Sequence, residues 1–163
     1  MSVSTPYQLL TAIRKAMKNS GSFQFVGYYP EEVKKAIGSV QNTESTNYAN
    51  CIIEDGNETE SLEYLQNGFD NIDYNVGIYI LMSRGKGTII KRLHDYELII
   101  KNIMSLSASY SGLSVNLTRF ISTEKGQPTD DINEDNMIGY ADGIVGRKLN
   151  YTINMQVARA GNC

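Results

Sequence analysis

The chain has 163 residues, of which 41% are hydrophobic and 20% are charged, and its formal net charge is −3 with an isoelectric point near 5.2. This is the size and composition of a single globular domain that buries a core without disulfides or metal. The apolar runs are too short to span a bilayer, and the chain lacks the basic excess with which proteins grip nucleic-acid phosphates. We therefore expect one domain over residues 1–163, without membrane association or tight nucleic-acid binding.

Two short features bear on the compartment. The first ten residues, MSVSTPYQLL, lack the basic and apolar regions of a secretory signal, so we expect synthesis inside a cell. The two cysteines match no metal or redox spacing. Cys51 lies in an apolar, strand-like context and is expected to be a buried free thiol, whereas Cys163 is a loose end at the terminus.

The first elements in chain order are a helix, a strand and a short helix. STPYQLLTAIRKAMKNSG predicts an amphipathic helix capped by Ser4 or Thr5, with Pro6 in its first turn and Gly21 after its end. Its apolar residues recur at three- and four-residue spacing: Leu9, Leu10, Ile13, Ala16 and Met17. SFQFVGYY alternates as a strand does, and PEEVKKAIGSV predicts a short helix whose two early acids suit its dipole.

A polar connection separates the next two predicted strands. YANCIIE predicts a strand, and DGNETESLEYLQNGFDN then predicts a solvated loop with one helical turn around Leu62 and Leu65. DYNVGIYILMSR carries apolar residues on both faces, which is typical of a central strand in a sheet covered on both sides.

The second half predicts one long helix and further strands. The helix spans about residues 88–107, with a wide apolar stripe of Ile89, Leu93, Tyr96, Ile99, Ile100, Ile103 and Leu106 that should lie on a sheet. LSVNLTRFIS predicts a strand with one wetter face, where Arg119 interrupts the apolar side. TEKGQPTDDINED predicts a long exposed loop.

The last part ends in the clearest strand. NMIGYADGIVGRK predicts a separate strand interrupted by glycines, and LNYTINMQVAR then alternates strictly. Its apolar side is Leu149, Tyr151, Ile153, Met155 and Val157. Its polar side includes Asn150, Thr152, Asn154 and Gln156. The order of elements predicts an α+β fold, a mixed or antiparallel sheet with its helices, including the N-terminal and the long helix, packed on one face.

The segment SRGKGT, residues 83–88, joins a strand to a helix and could hold a phosphate. A P-loop needs a glycine five residues before the Gly-Lys-Ser/Thr triplet, yet here Ile80 stands there and Gly87 separates Lys86 from Thr88. A dinucleotide-binding fingerprint fails as well, because its third glycine is missing. The pattern favours a turn capped by Thr88 over a nucleotide site.

Other candidate sites are weaker still. His94 is the only histidine, and it has no serine or cysteine in a recognisable nucleophile turn to serve. The acids of the predicted loop, Asp130, Asp131, Glu134 and Asp135, lack the spacing of a calcium loop. The basic cluster is Arg84, Lys86, Lys91 and Arg92, too small in an acidic protein to predict a nucleic-acid grip. We expect no catalytic residue, metal or cofactor.

Five segments of the chain, taken together, resemble in order and size the tail terminator (tail completion) proteins of long-tailed bacteriophages. They are YQLLTAIRKAMKN, YNVGIYILM, IIKRLHDYELIIKNIMSL, LSVNLTRFIS and LNYTINMQVAR. The resemblance covers nearly the whole chain and includes no short diagnostic motif. It implies an α+β virion protein, assembled in the host cytoplasm, that forms a hexameric ring in the neck. The implied partners are the tail tube protein, the head connector or stopper, and the sheath protein, with DNA passing through the lumen unbound.

Ring subunits meet through head-to-tail contacts, which favour sheet edges and polar surfaces. We therefore expect Asn150, Thr152, Asn154 and Gln156 at subunit or tube contacts, and Arg84 and Lys86 as contact charges if their corner faces a neighbour or the lumen. Two alternatives stay open. One is a head-completion or adaptor protein that contacts the portal, and the other is a small enzyme that holds phosphate with SRGKGT.

Overall fold

A computed structural model describes residues 5–41, 49–60, 69–83, 89–106, 110, 112–126, 132–141 and 143–158. Its helices are α1 (Pro6–Asn19), α2 (Val33–Gln41) and α3 (Ile89–Ser105). Its strands are β1 (Phe25–Tyr29), β2 (Ala49–Glu60), β3 (Phe69–Ser83), β4 (Val115–Glu124), β5 (Gly139–Ala141) and β6 (Ile144–Ala158). The predicted α+β class is confirmed.

The six strands form one mixed sheet in the order β1-β2-β3-β6-β4, and β5 pairs with the start of β6. Only β1 and β2 are parallel, and every other pair is antiparallel. β3 is central, as its two apolar faces predicted. It pairs with β6 over its whole length, from Phe69 opposite Ala158 to Ser83 opposite Ile144.

Helix α1 begins as its sequence predicted. Thr5 and Gln8 form a capping box, in which the Gln8 amide donates to Thr5 Oγ1 at 3.2 Å and the Thr5 amide donates to Gln8 Oε1 at 2.8 Å. Gly21, just beyond the helix, has a φ of 70°, which favours glycine. The helix buries Leu9, Leu10, Ile13 and Met17 against the sheet.

Two apolar cores lie on opposite faces of the sheet. The larger core joins α1 and α3 to the sheet, which confirms that the N-terminal and long helices share a face. The smaller core joins α2 to the other face, so the expectation that all helices share one face is wrong for α2. Its apolar residues are Val33, Ala36, Ile37, Val40, Ile52, Tyr79, Leu81, Ile132, Met137 and Ile144.

Several boundaries differ from the sequence prediction. β3 begins at Phe69, so residues 69–71, predicted as loop, are strand. β2 continues to Glu60, so residues 55–60, predicted as loop, are strand. β6 is one uninterrupted strand from Ile144, and only the short β5 precedes it. Helix α2 begins at Val33, after its predicted acidic first turn. The predicted exposed loop at 123–135 contributes two strand residues to β4 and a buried Ile132 to the smaller core. The predicted turn around Leu62 and Leu65 lies outside the described residues.

Candidate functional site: the polar sheet face

The predicted contact residues of β6 lie on the sheet face that carries α2, beyond the part that α2 covers. We call this region the polar sheet face, defined by Lys148, Asn150, Thr152 and Asn154 of β6 and their cross-strand neighbours on β2, β3 and β4. Cross-strand neighbours on one face are close enough for their side chains to interact. The strict alternation of β6 therefore places the polar side chains on one surface.

Hydrogen bonds link this face across three strands. Thr152 Oγ1 donates to Asn75 Oδ1 on β3 at 2.9 Å. Asn150 Nδ2 donates to Ser122 Oγ at 3.1 Å and to Glu124 Oε2 at 2.9 Å, both on β4. Asn150 and Thr152 are partly exposed, so both can also meet another molecule.

Asn154 and Gln156 behave differently, because they are only 5% and 2% exposed. Asn154 Nδ2 donates to Asp73 Oδ1 at 3.0 Å, and Asn154 Oδ1 accepts from Asn116 Nδ2 at 2.8 Å. The same Asn116 amide also donates to Asn71 Oδ1 at 2.8 Å. The Asn154 side chain therefore joins β6 to β3 and β4, and within one chain both Asn154 and Gln156 present little surface. Their place at subunit or tube contacts stays a prediction.

Lys148 is the charged centre of the polar sheet face. Its Nζ lies 3.2 Å from Glu54 Oε1 and 4.0 Å from Glu124 Oε2, so it joins β2, β6 and β4. Tyr79 Oη donates to the other oxygen of Glu54 at 2.5 Å. Burial raises the pKa of Tyr79, and the hydrogen bond to Glu54 raises it further. Lys148 thus neutralises the charge of Glu54, and Tyr79 holds its carboxylate by a hydrogen bond, at the margin of the smaller core.

An open groove of about 440 Å³ lies on this face, and its lining includes Glu54, Lys148 and Asn150. Gly56 and Gly77 line it without side chains, and a Cβ at Gly77 would lie 2.5 Å from Lys148 Cε. Among its described lining residues there is neither histidine nor cysteine, and the amides and hydroxyls are mostly paired with one another. The groove offers hydrogen bonds and charge to a partner and contains no described nucleophile with a neighbouring base.

The edge strand β4 borders this face and exposes three large apolar side chains. Leu117, Phe120 and Ile121 are 43%, 42% and 55% exposed. Irregular pairing at residues 115–117 and 120–122 breaks the alternation, so the predicted apolar side is split between both faces. Phe120 packs edge-on against Tyr151, with ring centroids 5.6 Å apart, and Lys101 Nζ lies 4.3 Å from its ring centroid.

Of the segment SRGKGT, the structure describes only Ser83, so Arg84 and Lys86 lie outside the described residues. Arg92, from the same basic cluster, donates to the Ser83 carbonyl at 3.5 Å. Ser83 is buried, and this contact fixes the end of β3 against α3.

A buried ion pair next to His94 was not predicted from the sequence. His94 Nδ1 lies 3.1 Å from Glu97 Oε2, and Arg147 Nη1 lies 2.8 Å from Glu97 Oε1. Both residues stood in apolar patterns: Glu97 is four residues after Leu93, and Arg147 is two residues before Leu149. A charged residue at an apolar position of each pattern was the sequence feature that could have predicted this ion pair.

No family model matches the chain, and no curated protein matches it significantly. In the ranges described, no three histidine, cysteine, aspartate or glutamate side chains lie close enough together to hold a metal ion. Glu134 belongs to the surface, where it lies 3.5 Å from Lys34, while Asp130 and Asp131 lie outside the described residues. None of the three described helices is both long and apolar enough to cross a membrane.

Proposed function

We propose that this chain is a structural virion protein of the tail-terminator kind. In this role it forms a ring, of six copies by the resemblance, at the head-proximal end of a phage tail. It ends tube growth and joins the tail to the head connector, with the sheath protein as a further partner in a contractile tail. It acts by docking and has no catalytic step.

The observation that carries the proposal is the apolar edge strand β4. A sheet edge that exposes Leu117 and Ile121 on the side of the polar sheet face and Phe120 on the other side is a surface for another protein chain, because such an edge promotes uncontrolled association when left bare. Covering the exposed half of each side chain contributes roughly 1 kcal/mol per residue by apolar area. This is the contact that a permanent assembly requires.

The polar sheet face and the charge of the chain support the same proposal. Asn150 and Thr152 offer hydrogen bonds to a neighbour, and no described lining residue of the groove provides a nucleophile with a base. The net charge of −3 is compatible with DNA sliding past a lumen, since tight DNA binding needs a basic surface.

The decisive test is assembly. Purified protein is examined by negative-stain imaging and native mass spectrometry for closed rings, and is then added to terminator-deficient tails and scored for capped, head-joining tails. Ile121→Asp is expected to abolish ring formation or tail joining while the circular dichroism spectrum is kept. Leu106→Asp, at an equally exposed position near the end of α3, serves as the control and should leave both intact.

The same preparations separate the alternatives. A protein that binds isolated portal rings and ignores tail tubes would be a head-completion or adaptor protein. Thermal stabilisation by nucleotide that Lys86→Ala removes would instead support the small phosphate-binding enzyme. Either result would overturn the tail-terminator proposal.

A further inference from the structure

The charges of this chain are separated along its β1 edge. No lysine or arginine occurs between Lys35 and Arg84, a stretch with eight acidic residues. Before it, residues 1–35 contain five basic residues, Arg14, Lys15, Lys18, Lys34 and Lys35. The fold places three of these acids, on β2 beyond the end of β1, and three of these cations, beside the start of β1, at different ends of one sheet edge.

The acidic group lies on a strand that extends beyond its neighbour. β1 pairs with residues 50–54 of β2 only, so residues 55–60 of β2 have no described strand on their outer side. We call this part of β2, which is paired with β3 on its inner side, the acidic arm. Six residues of strand extend it by roughly 20 Å.

Three acids of the acidic arm share one face. Asp55, Glu58 and Glu60 are paired with Val76, Tyr74 and Ile72, all of which face the larger core. Their carboxylates therefore project from the side of the sheet that carries α1. Asp55 accepts from Tyr74 Oη at 2.5 Å, whereas Glu58 and Glu60 are exposed at positions free for a contact.

The basic group lines a groove at the other end of this edge. The groove has a volume of about 410 Å³ and runs along β1 between α1 and α2. We call it the basic groove, and its described lining is Arg14, Lys18, Phe23, Gln24, Phe25, Val26, Glu32 and Lys35.

Cations exceed acids in this groove by three to one among the described residues. Glu32 is the acid, and it is already engaged by the Tyr28 amide at 3.1 Å and by Arg14 at 3.7 Å. Lys35 Nζ lies 4.9 Å from the centroid of the Phe25 ring, and Lys18 is exposed at the rim. With Glu32 paired to Arg14, the basic groove is left with the charges of Lys18 and Lys35, beside a strand edge that no described strand covers.

We infer that the basic groove of one copy receives the acidic arm of the next copy, and that this contact closes the ring. The two surfaces are complementary in charge. Lys18 and Lys35 lie beside the start of β1, whereas Glu58 and Glu60 lie beyond its end, so the two surfaces can meet head to tail between copies. Head-to-tail contacts of this kind generate rings when their rotation closes. This contact adds a subunit interface to the proposed function, and the location of the ring in a phage tail rests on that proposed function.

Charge-reversal variants test the contact by sedimentation velocity and native mass spectrometry. Lys18→Glu/Lys35→Glu reverses the groove and Glu58→Lys/Glu60→Lys reverses the arm. Each variant alone is expected to self-associate at least about tenfold more weakly, because like charges then face each other. Lys91→Glu/Lys125→Glu, at two exposed lysines outside the groove, makes the same change of net charge as the groove variant and should assemble as wild type.

The mixture gives the sharpest readout. In an equimolar mixture the reversed groove of one variant fits the reversed arm of the other, and the two unchanged surfaces fit as well. Assembly should therefore return as an alternating ring with an even number of copies. Wild-type rings should also weaken as salt rises toward 1 M, where the screening length is about 3 Å.

Several outcomes would overturn the inference: a wild-type chain that stays monomeric at low salt, a groove variant that assembles as wild type, or variants that remain apart when mixed. If the groove variant loses tail capping while its self-association stays intact, the groove binds a different acidic protein. Rings that form through arm and groove but never join tails would instead refute the tail-terminator proposal and leave this contact standing.

Discussion

Arg147 of β6 and Glu97 of α3 form an ion pair of 2.8 Å with side chains only 4% and 6% exposed. Of the ion pairs described, it alone has both partners buried. Burial opposes the charge on Arg147, yet its hydrogen bonds to Tyr140 and Glu97 leave the pKa of the guanidinium raised. The pair holds the long helix α3 against β6, the strand next to the central β3.

Replacing one partner of this pair should be costly. Glu97→Gln leaves a buried guanidinium without its countercharge, and we expect the free energy of unfolding to fall by about 3–5 kcal/mol in urea titrations. Asp95→Asn is the matched control, because it removes the exposed pair with Lys91 at 3.0 Å and should cost only about 0–1 kcal/mol. Equal effects of the two substitutions would contradict this account.

Alkaline pH should weaken the fold through buried tyrosines. Burial raises the pKa of Tyr74 and of Tyr79, with further increases from Asp55 and Glu54 respectively, and burial raises the pKa of Tyr110 to about 12. A raised pKa in the folded state means that stability is complete below the unfolded value near 10 and is lost as pH rises through the folded value. Urea midpoints should therefore be level at neutral pH and fall from about pH 10 upward.

Tyr79→Phe separates the hydrogen bond from the burial. It removes the donor to Glu54, so stability at neutral pH should fall by about 1–3 kcal/mol, and the decline above pH 10 should become shallower. Tyr7→Phe, at an exposed tyrosine, should follow the wild-type curve at both ends. If stability falls with rising pH as steeply in Tyr79→Phe as in the wild type, ionisation of Tyr79 does not contribute to the alkaline loss of stability.

Cys51 should be inert in the folded protein. Its side chain is fully buried, and this burial raises the pKa of the thiol, so little reactive thiolate reaches solvent. In a Cys163→Ser background, a thiol reagent should label Cys51 only as fast as the chain unfolds, with full labelling in denaturant. Rapid native labelling would show that the larger core opens locally around β2.

Regular periodicity explains what the sequence predicted well. Leu9, Ile13 and Met17 recur every four residues and are all buried, and Leu149, Tyr151 and Ile153 alternate along β6 and are buried as well. These patterns arise where one face of an element packs on one core, so the pattern and the packing carry the same information.

The predictions failed where tertiary context determined the structure. Residues 55–60 are polar because they form an exposed arm, yet the cross-strand bonds to β3 make them a strand. The position of α2 on the second face depends on the path of the chain after β1, which no local pattern encodes. The polar side of β6 contains two partly exposed residues, Asn150 and Thr152, and two buried ones, Asn154 and Gln156, a difference that alternation alone cannot reveal.

Gly146 should not tolerate even a methyl group. It lies in β6 opposite Gly139 of β5, and a Cβ there would run into the backbone carbonyl of Met137, which a side-chain rotation cannot relieve. Gly146→Ala is therefore expected to push the segment around Met137 off the smaller core and to lower the free energy of unfolding by about 1–3 kcal/mol. Gly38→Ala is the control, since a Cβ there meets nothing within 4 Å inside α2, and it should raise stability by about 0.5–1 kcal/mol. Urea titrations of both variants measure the contrast, and a neutral Gly146→Ala would show that β5 and the Met137 segment move freely with respect to β6.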